Sequence, residues 1–287
     1  MEILKTDSTE PNPASLRLKA LSLLTENDSN RSFSALREAL SDPDITFRQG
    51  AAAQLATHPH PEVPSIIVSY FDKLSQQKSV DRSIQLEMTI AAKVSPHHSA
   101  LDALAAYQAS LNLTDSRLRP FIGTIQGGNP ERGREVFNNH PATQCAECHA
   151  IDPGIKETQL GPHLSKVGNL PPMELLQSLI TPTAKIAPGF QEITLHINNG
   201  QILTGFLQTE GEDYLDLIVD EVLLRVEKLQ IGHVSSSISA MPPVGQILPK
   251  EDIRDLVAYL TTLKTPSSTK NPLAQEPIRY HPSWRAN

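Results

Sequence analysis

The chain has 287 residues, 25 basic and 32 acidic side chains for a net charge of −7, an apolar fraction of 39% and two cysteines. That acidic balance, with aromatics at 5%, offers little to neutralise a phosphate backbone and so speaks against nucleic-acid binding. No run of eighteen apolar residues is present to span a membrane, two cysteines cannot staple a disulfide scaffold, and the length suits two domains.

Residues 1–13 are polar, end in Glu10-Pro11-Asn12-Pro13 and are expected to be disordered. Met1–Asn30 lacks a basic segment followed by an apolar stretch, so no signal peptide is expected there. From residue 14 to 122 apolar residues recur at helical spacing: Leu16, Ala20, Leu23 and Leu24, then Phe33, Leu36, Ala39 and Leu40, then Ala51, Ala52 and Leu55, then Ile66, Ile67, Tyr70, Phe71 and Leu74. Breaks are expected at Asn27–Asn30, Ser41–Asp44, His58–Pro64 and Ser95–Ser99. The run from Ser41 to Ala52, with Asp42-Pro43 before Arg48 and small residues after it, resembles the opening of a HEAT-type repeat. Arg17 and Arg82 stand at comparable places. A short α-solenoid or an irregular bundle is therefore expected over 14–122.

Residues 123–128 read as a linker, with Gly127 and Gly128 adjacent, and a second domain is expected over 129–264. Its first helix opens with Asn129 as N-cap and Pro130 at the first helical position. Further helices are expected at Pro172–Ile180 and from Lys250 to Leu263. Between about 190 and 231 the period falls to two, with Ile193, Leu195 and Ile197 alternating and Asn199-Gly200 as a hairpin turn. Ile202 to Leu207, Tyr214 to Val219 and Val222 to Val226 read as further strands, together a small antiparallel insert. The fold class expected is mainly α. The tail 265–287 is rich in Pro, Ser and Asn and reads as extended over the surface, with Trp284 as a docking residue.

Both cysteines fall in Cys145-Ala146-Glu147-Cys148-His149. Two thiols three residues apart can each add across one vinyl group of a haem, and the next residue, a histidine, then lies under the iron. A thioredoxin-like redox pair would open a helix after a strand, and a structural zinc site would need a second ligand pair. Neither accompaniment is visible in the sequence. For the sixth position a methionine suits the iron. Met241 in Ser239-Ala240-Met241-Pro242-Pro243 precedes the last helix, and His233 and His163 are its rivals.

Residues 129–264 resemble a class I cytochrome c domain, and more narrowly the planctomycete/verrucomicrobial-type haem-binding domain. The resemblance is carried by Gly133-x-x-x-Phe137, the Cys145–His149 motif, Gly161-Pro162-x-Leu164, Met241-Pro242 and Leu256-x-x-Tyr259-Leu260, in that order. It implies one covalent haem c held by Cys145 and Cys148, with His149 and Met241 on the iron. By the same resemblance Pro162 offers its carbonyl to His149, Leu164, Phe137 and Val257 wall the haem, and Gly133 lets the first and last helices cross. Ninety-one residues separate His149 from Met241, and the β insert accounts for the excess over a compact domain.

The function implied is one-electron transfer between a dehydrogenase donor and a downstream acceptor, not catalysis at the iron. A haem enzyme or sensor with an open distal site, and an interaction scaffold built on the helical repeats, are the alternatives. Haem attachment further implies a periplasmic or otherwise extracytoplasmic location, reached as a mature form or as part of a longer exported protein.

Overall fold

The computed structural model describes residues 13–152, 160–220 and 222–264. The expectations for the N-terminal dozen residues and for the tail 265–287 with Trp284 lie outside the described residues. Among the described residues six α-helices occupy the first part of the chain: α1 Pro13–Asn27, α2 Ser29–Ala39, α3 Ile45–Gln54, α4 Val63–Ser75, α5 Gln85–Val94 and α6 His98–Ser110. Their starts are set locally. Asp28 accepts from the backbone N–H of Arg31, and Asp44 accepts from those of Thr46 and Phe47, which satisfies donors that a helix start leaves unpaired.

The helices pack pairwise. α1, α3 and α5 lie side by side in one row, and α4 packs against α6. Leu21, Leu36, Ala51, Ile67, Phe71 and Ala92 are fully buried in their common core. Small residues at 51 and 52 let neighbouring backbones approach. Arginine–aspartate pairs tie one helical pair to the next: Arg17 forks onto Asp42, and Arg48 donates to Asp81 at 2.7 Å. Arg17 also lies over the Phe47 ring, 3.7 Å from its centre.

A stretch of 3-10 turns, Ser116–Thr124, leads to α7 Pro130–Asn139, the four-residue α8 Cys145–Cys148, α9 Pro172–Ile180 and α10 Lys250–Thr262. Asn129 caps α7 through its side-chain oxygen, which accepts from Glu131 and Arg132 N–H. Phe137 of α7, Leu176 and Leu179 of α9 and Leu256, Val257 and Leu260 of α10 form a second core. The two helical parts meet closely. Gln49 donates to the carbonyls of both Ser83 (2.9 Å) and Gly127 (2.7 Å), and Arg254 of α10 pairs with Glu87 of α5 at 2.6 Å with both side chains buried. Among the described residues no helix is long and apolar enough to cross a membrane.

Between α9 and α10 stands a five-stranded antiparallel sheet: β1 Gln191–Ile197, β2 Ile202–Glu210, β3 Tyr214–Val219, β4 Val222–Glu227 and β5 Ile231–Ile238, in the order β4-β3-β2-β1-β5. Gly200, at φ 90°, makes the expected turn between β1 and β2. The sheet corrects the expectation of a mainly α fold. The protein is a mixed α and β structure in which helices dominate, because the strands build a sheet with a hydrophobic core of their own from Ile193, Leu195, Leu215, Leu217 and Val226. The spacing does not predict β5, because Gly232, His233 and three consecutive serines interrupt its alternation. It becomes a strand by pairing with β1, whose outer edge would otherwise be unsatisfied.

Candidate functional site

α8 begins directly at Cys145 and ends at Cys148. It follows α7 and a turn rather than a strand, unlike the strand-to-helix setting of a thioredoxin-type pair. Gln144, immediately before it, holds a left-handed backbone at φ 43°, a conformation that costs a non-glycine residue about 1 kcal/mol or more. The backbone N–H of His149 donates to the Cys145 carbonyl at 2.9 Å, so the histidine is fixed at the end of the one-turn helix. Both cysteines are half-buried thiols. Burial pushes the Cys145 thiol above its ordinary value.

The segment Gly161-Pro162-His163-Leu164 closes over His149. His149 Nδ1 lies 2.9 Å from the Pro162 carbonyl oxygen. A carbonyl only accepts, so Nδ1 carries the proton and Nε2 keeps its lone pair. Burial holds the imidazole below its ordinary titration range, and the bond to Pro162 opposes that shift. A β-carbon at Gly161 would come within 2.8 Å of His149 Cε1 and 2.9 Å of the Cys148 carbonyl oxygen, so the clamp closes because that residue has none. Leu164 completes the closure, its N–H donating to the Ala150 carbonyl at 2.8 Å. Neither the role of Gly161 nor the strain at Gln144 was readable beforehand. Nothing in Gly161-Pro162-x-Leu164 marks what the glycine clears, and a positive φ leaves no local signature at a glutamine.

Cys145, Leu164 and Met241 all pack, partly buried, against the second core. Met241 sits in the loop between β5 and α10, where its N–H donates to Ser239 Oγ at 3.1 Å and the Ser239 N–H donates to Thr183 Oγ1 at 3.3 Å. Met173 of α9 touches the same core, while Met88 is buried in the core of the first six helices. The rival histidines stand differently. His163 uses both ring nitrogens, Nε2 towards the Asp152 carbonyl at 2.8 Å and Nδ1 accepting from Ser165 N–H at 3.2 Å. His233 lies on β5 beside His196, in the sheet. Phe137 and Val257 are fully buried, and Phe137 packs against Tyr259 with ring centres 5.6 Å apart.

The arrangement presents two thiols on one helical turn, a neutral imidazole whose outer nitrogen can bind a metal, and a thioether on the same apolar core. A structural zinc site finds less to use, because among the described residues no three His, Cys, Asp or Glu side chains gather to hold an ion. No family model matches the chain, and no curated protein is found to be similar to it.

Proposed function

We propose that the chain is a c-type cytochrome that carries single electrons through one covalently held haem. The observation that carries this reading is the clamp on His149: a one-turn helix bearing both thiols ends at an imidazole whose Nδ1 bonds to the Pro162 carbonyl, against a glycine that clears the ring. Cys145 and Cys148 would hold the group as thioethers, each S–H adding across one vinyl group. His149 through Nε2 and Met241 through its thioether sulfur would ligate its iron. The haem, when bound, supplies a one-electron Fe(III)/Fe(II) couple.

The protein's own residues do the rest. Pro162 fixes the tautomer and orientation of the ligand imidazole and raises its basicity, as an outer partner of a metal-bound histidine does. Leu164 and the apolar core it joins keep water from the site. Were His149 and Met241 both to hold the iron, the site would favour electron transfer over substrate binding there. The partners in this reading are a dehydrogenase donor and a downstream acceptor. An acidic chain suits a donor or acceptor with a basic rim. Attachment chemistry of this type belongs outside the cytoplasm, so the location proposed is periplasmic or otherwise extracytoplasmic.

The test is to make the protein with haem-attachment machinery and record its intact mass and its reduced visible spectrum. The expected result is a mass increased by one haem and a low-spin, six-coordinate spectrum indifferent to cyanide. Colourless protein with both thiols unmodified would overturn the proposal.

A further inference from the structure

The sheet carries a histidine pair that the electron-transfer reading does not use. His196 of β1 and His233 of β5 stand directly opposite each other in the antiparallel register, with ring centres 5.6 Å apart and ring planes at 43°. Ser235 Oγ lies 3.4 Å from His196 Nε2. His196 is half-exposed and His233 exposed, so solvent reaches both rings.

This juxtaposition depends on an irregularity. Ile197 pairs with Ile231, but the next residue back on β1, His196, pairs with His233, so Gly232 is an extra residue on β5. Residues directly opposite share a face of the sheet, and successive residues alternate faces. In an unbroken ladder Gly232 would oppose His196 and His233 would oppose Leu195, whose side chain is fully buried in the sheet core. The bulge turns His233 to the outer face and sets it against His196. Re-aiming a side chain is what such bulges do beside functional sites.

From this geometry we infer that His196 and His233 form a binding site for one borderline divalent transition ion of the Ni2+, Cu2+ or Zn2+ class. An ion bound at the ~2.0–2.1 Å typical of a metal–imidazole bond stands about 3.2 Å from each ring centre. Two centres 5.6 Å apart then subtend about 120° at the ion, within the range that tetrahedral and distorted tetragonal sites tolerate. Imidazole is the preferred nitrogen donor for these ions, whereas Mg2+ and Ca2+ favour oxygen. With no third His, Cys, Asp or Glu gathered there among the described residues, water completes the shell and the ion exchanges with solvent. Bound, it bridges β1 to β5 and fastens the seam by which the last strand joins the sheet.

The site is tested with Ni2+, which exchanges no electrons with haem iron or thiols. The full chain is used with its cysteines occupied by haem or, failing that, alkylated. Equilibrium dialysis should show one Ni2+ per chain, with affinity weakened at least about tenfold in each of His196→Gln and His233→Gln. The double variant should be no weaker than either single one, and a His97→Gln/His98→Gln variant should bind as the parent does. Ni2+ should also raise the thermal midpoint of the parent and leave that of His233→Gln unmoved, with the two midpoints alike in the absence of metal. Binding that survives either sheet substitution, that follows His97 and His98, or that spreads over several weak sites, would overturn the assignment.

Discussion

Gly133 and Asp255 meet backbone against backbone: a β-carbon on Gly133 would fall 1.9 Å from the Asp255 carbonyl oxygen. This is where α7 crosses α10. The Asp255 carboxylate, itself buried, accepts from Asn129 N–H at 2.7 Å and pairs with Arg132 at 2.9 Å, so one residue of the last helix seats the start of α7. Gly133→Ala should therefore destabilise the protein by about 2 kcal/mol or more, because overpacking at the crossing outweighs the ~1 kcal/mol that alanine gains as a helix former. Urea denaturation of the two proteins measures it, and equal midpoints would show that the helices part at little cost.

Gly161 clears the His149 ring in the same way. In Gly161→Ala the new methyl group must displace either the ring or the Cys148 carbonyl. Covalent attachment should survive, since Cys145 and Cys148 are untouched, while the axial-ligand bands of the visible spectrum should shift. An unshifted spectrum would mean that the clamp does not orient the imidazole.

Met241→Ala removes the sulfur proposed for the sixth position. The expected outcome is covalently bound haem whose iron turns high-spin and takes up cyanide. A spectrum identical to the parent's would move the ligand to another residue, with Met173, on the same core, the first to replace.

Glu87 and Arg254 join the two helical parts through a buried pair 2.6 Å apart, with Glu87 Oε2 and Arg254 Nε lacking hydrogen-bond partners. Burial pushes the Glu87 carboxyl above its ordinary value, and the Arg254 charge opposes that. Arg254→Met leaves an uncompensated carboxylate inside and should cost about 3–5 kcal/mol. Replacing both residues together, as Glu87→Leu with Arg254→Met, should recover most of that loss. A double variant as unstable as the single one would show that packing, not charge, is what the arginine supplies.

His58 makes the helical part sensitive to acid. It is buried, 2.8 Å from Ser32 Oγ, and burial followed by the nearby His60 holds its titration below the ordinary 6.5. The folded state therefore favours neutral His58, and its contribution to stability is present above pH 6.5 and lost as the pH falls through the lowered value. The urea midpoint should drop between about pH 7.5 and about pH 5.5, on either side of the ordinary histidine value. That drop should shrink in His58→Gln, and an unchanged drop would assign it to other groups.

What the amino-acid order determined by itself is local. Helices appear where apolar spacing and the caps at Asp28, Asp44 and Asn129 place them, and β1 and β2 turn at Gly200, because each of these depends on hydrogen bonds spanning a few residues. The Cys145–His149 motif is equally local, since its chemistry resides in spacing. Tertiary structure decided the rest. β5 exists as a strand only against β1, and the bulge at Gly232 that brings His233 to His196 has no signature of its own. Which histidines keep a nitrogen for a metal depended on the backbone groups they meet: the Pro162 carbonyl leaves His149 its Nε2, whereas the Asp152 carbonyl and the Ser165 N–H occupy both nitrogens of His163. The Glu87–Arg254 pair joins residues 167 positions apart. Burial and partner geometry of this kind arise from packing between distant segments, which no periodicity along the chain records.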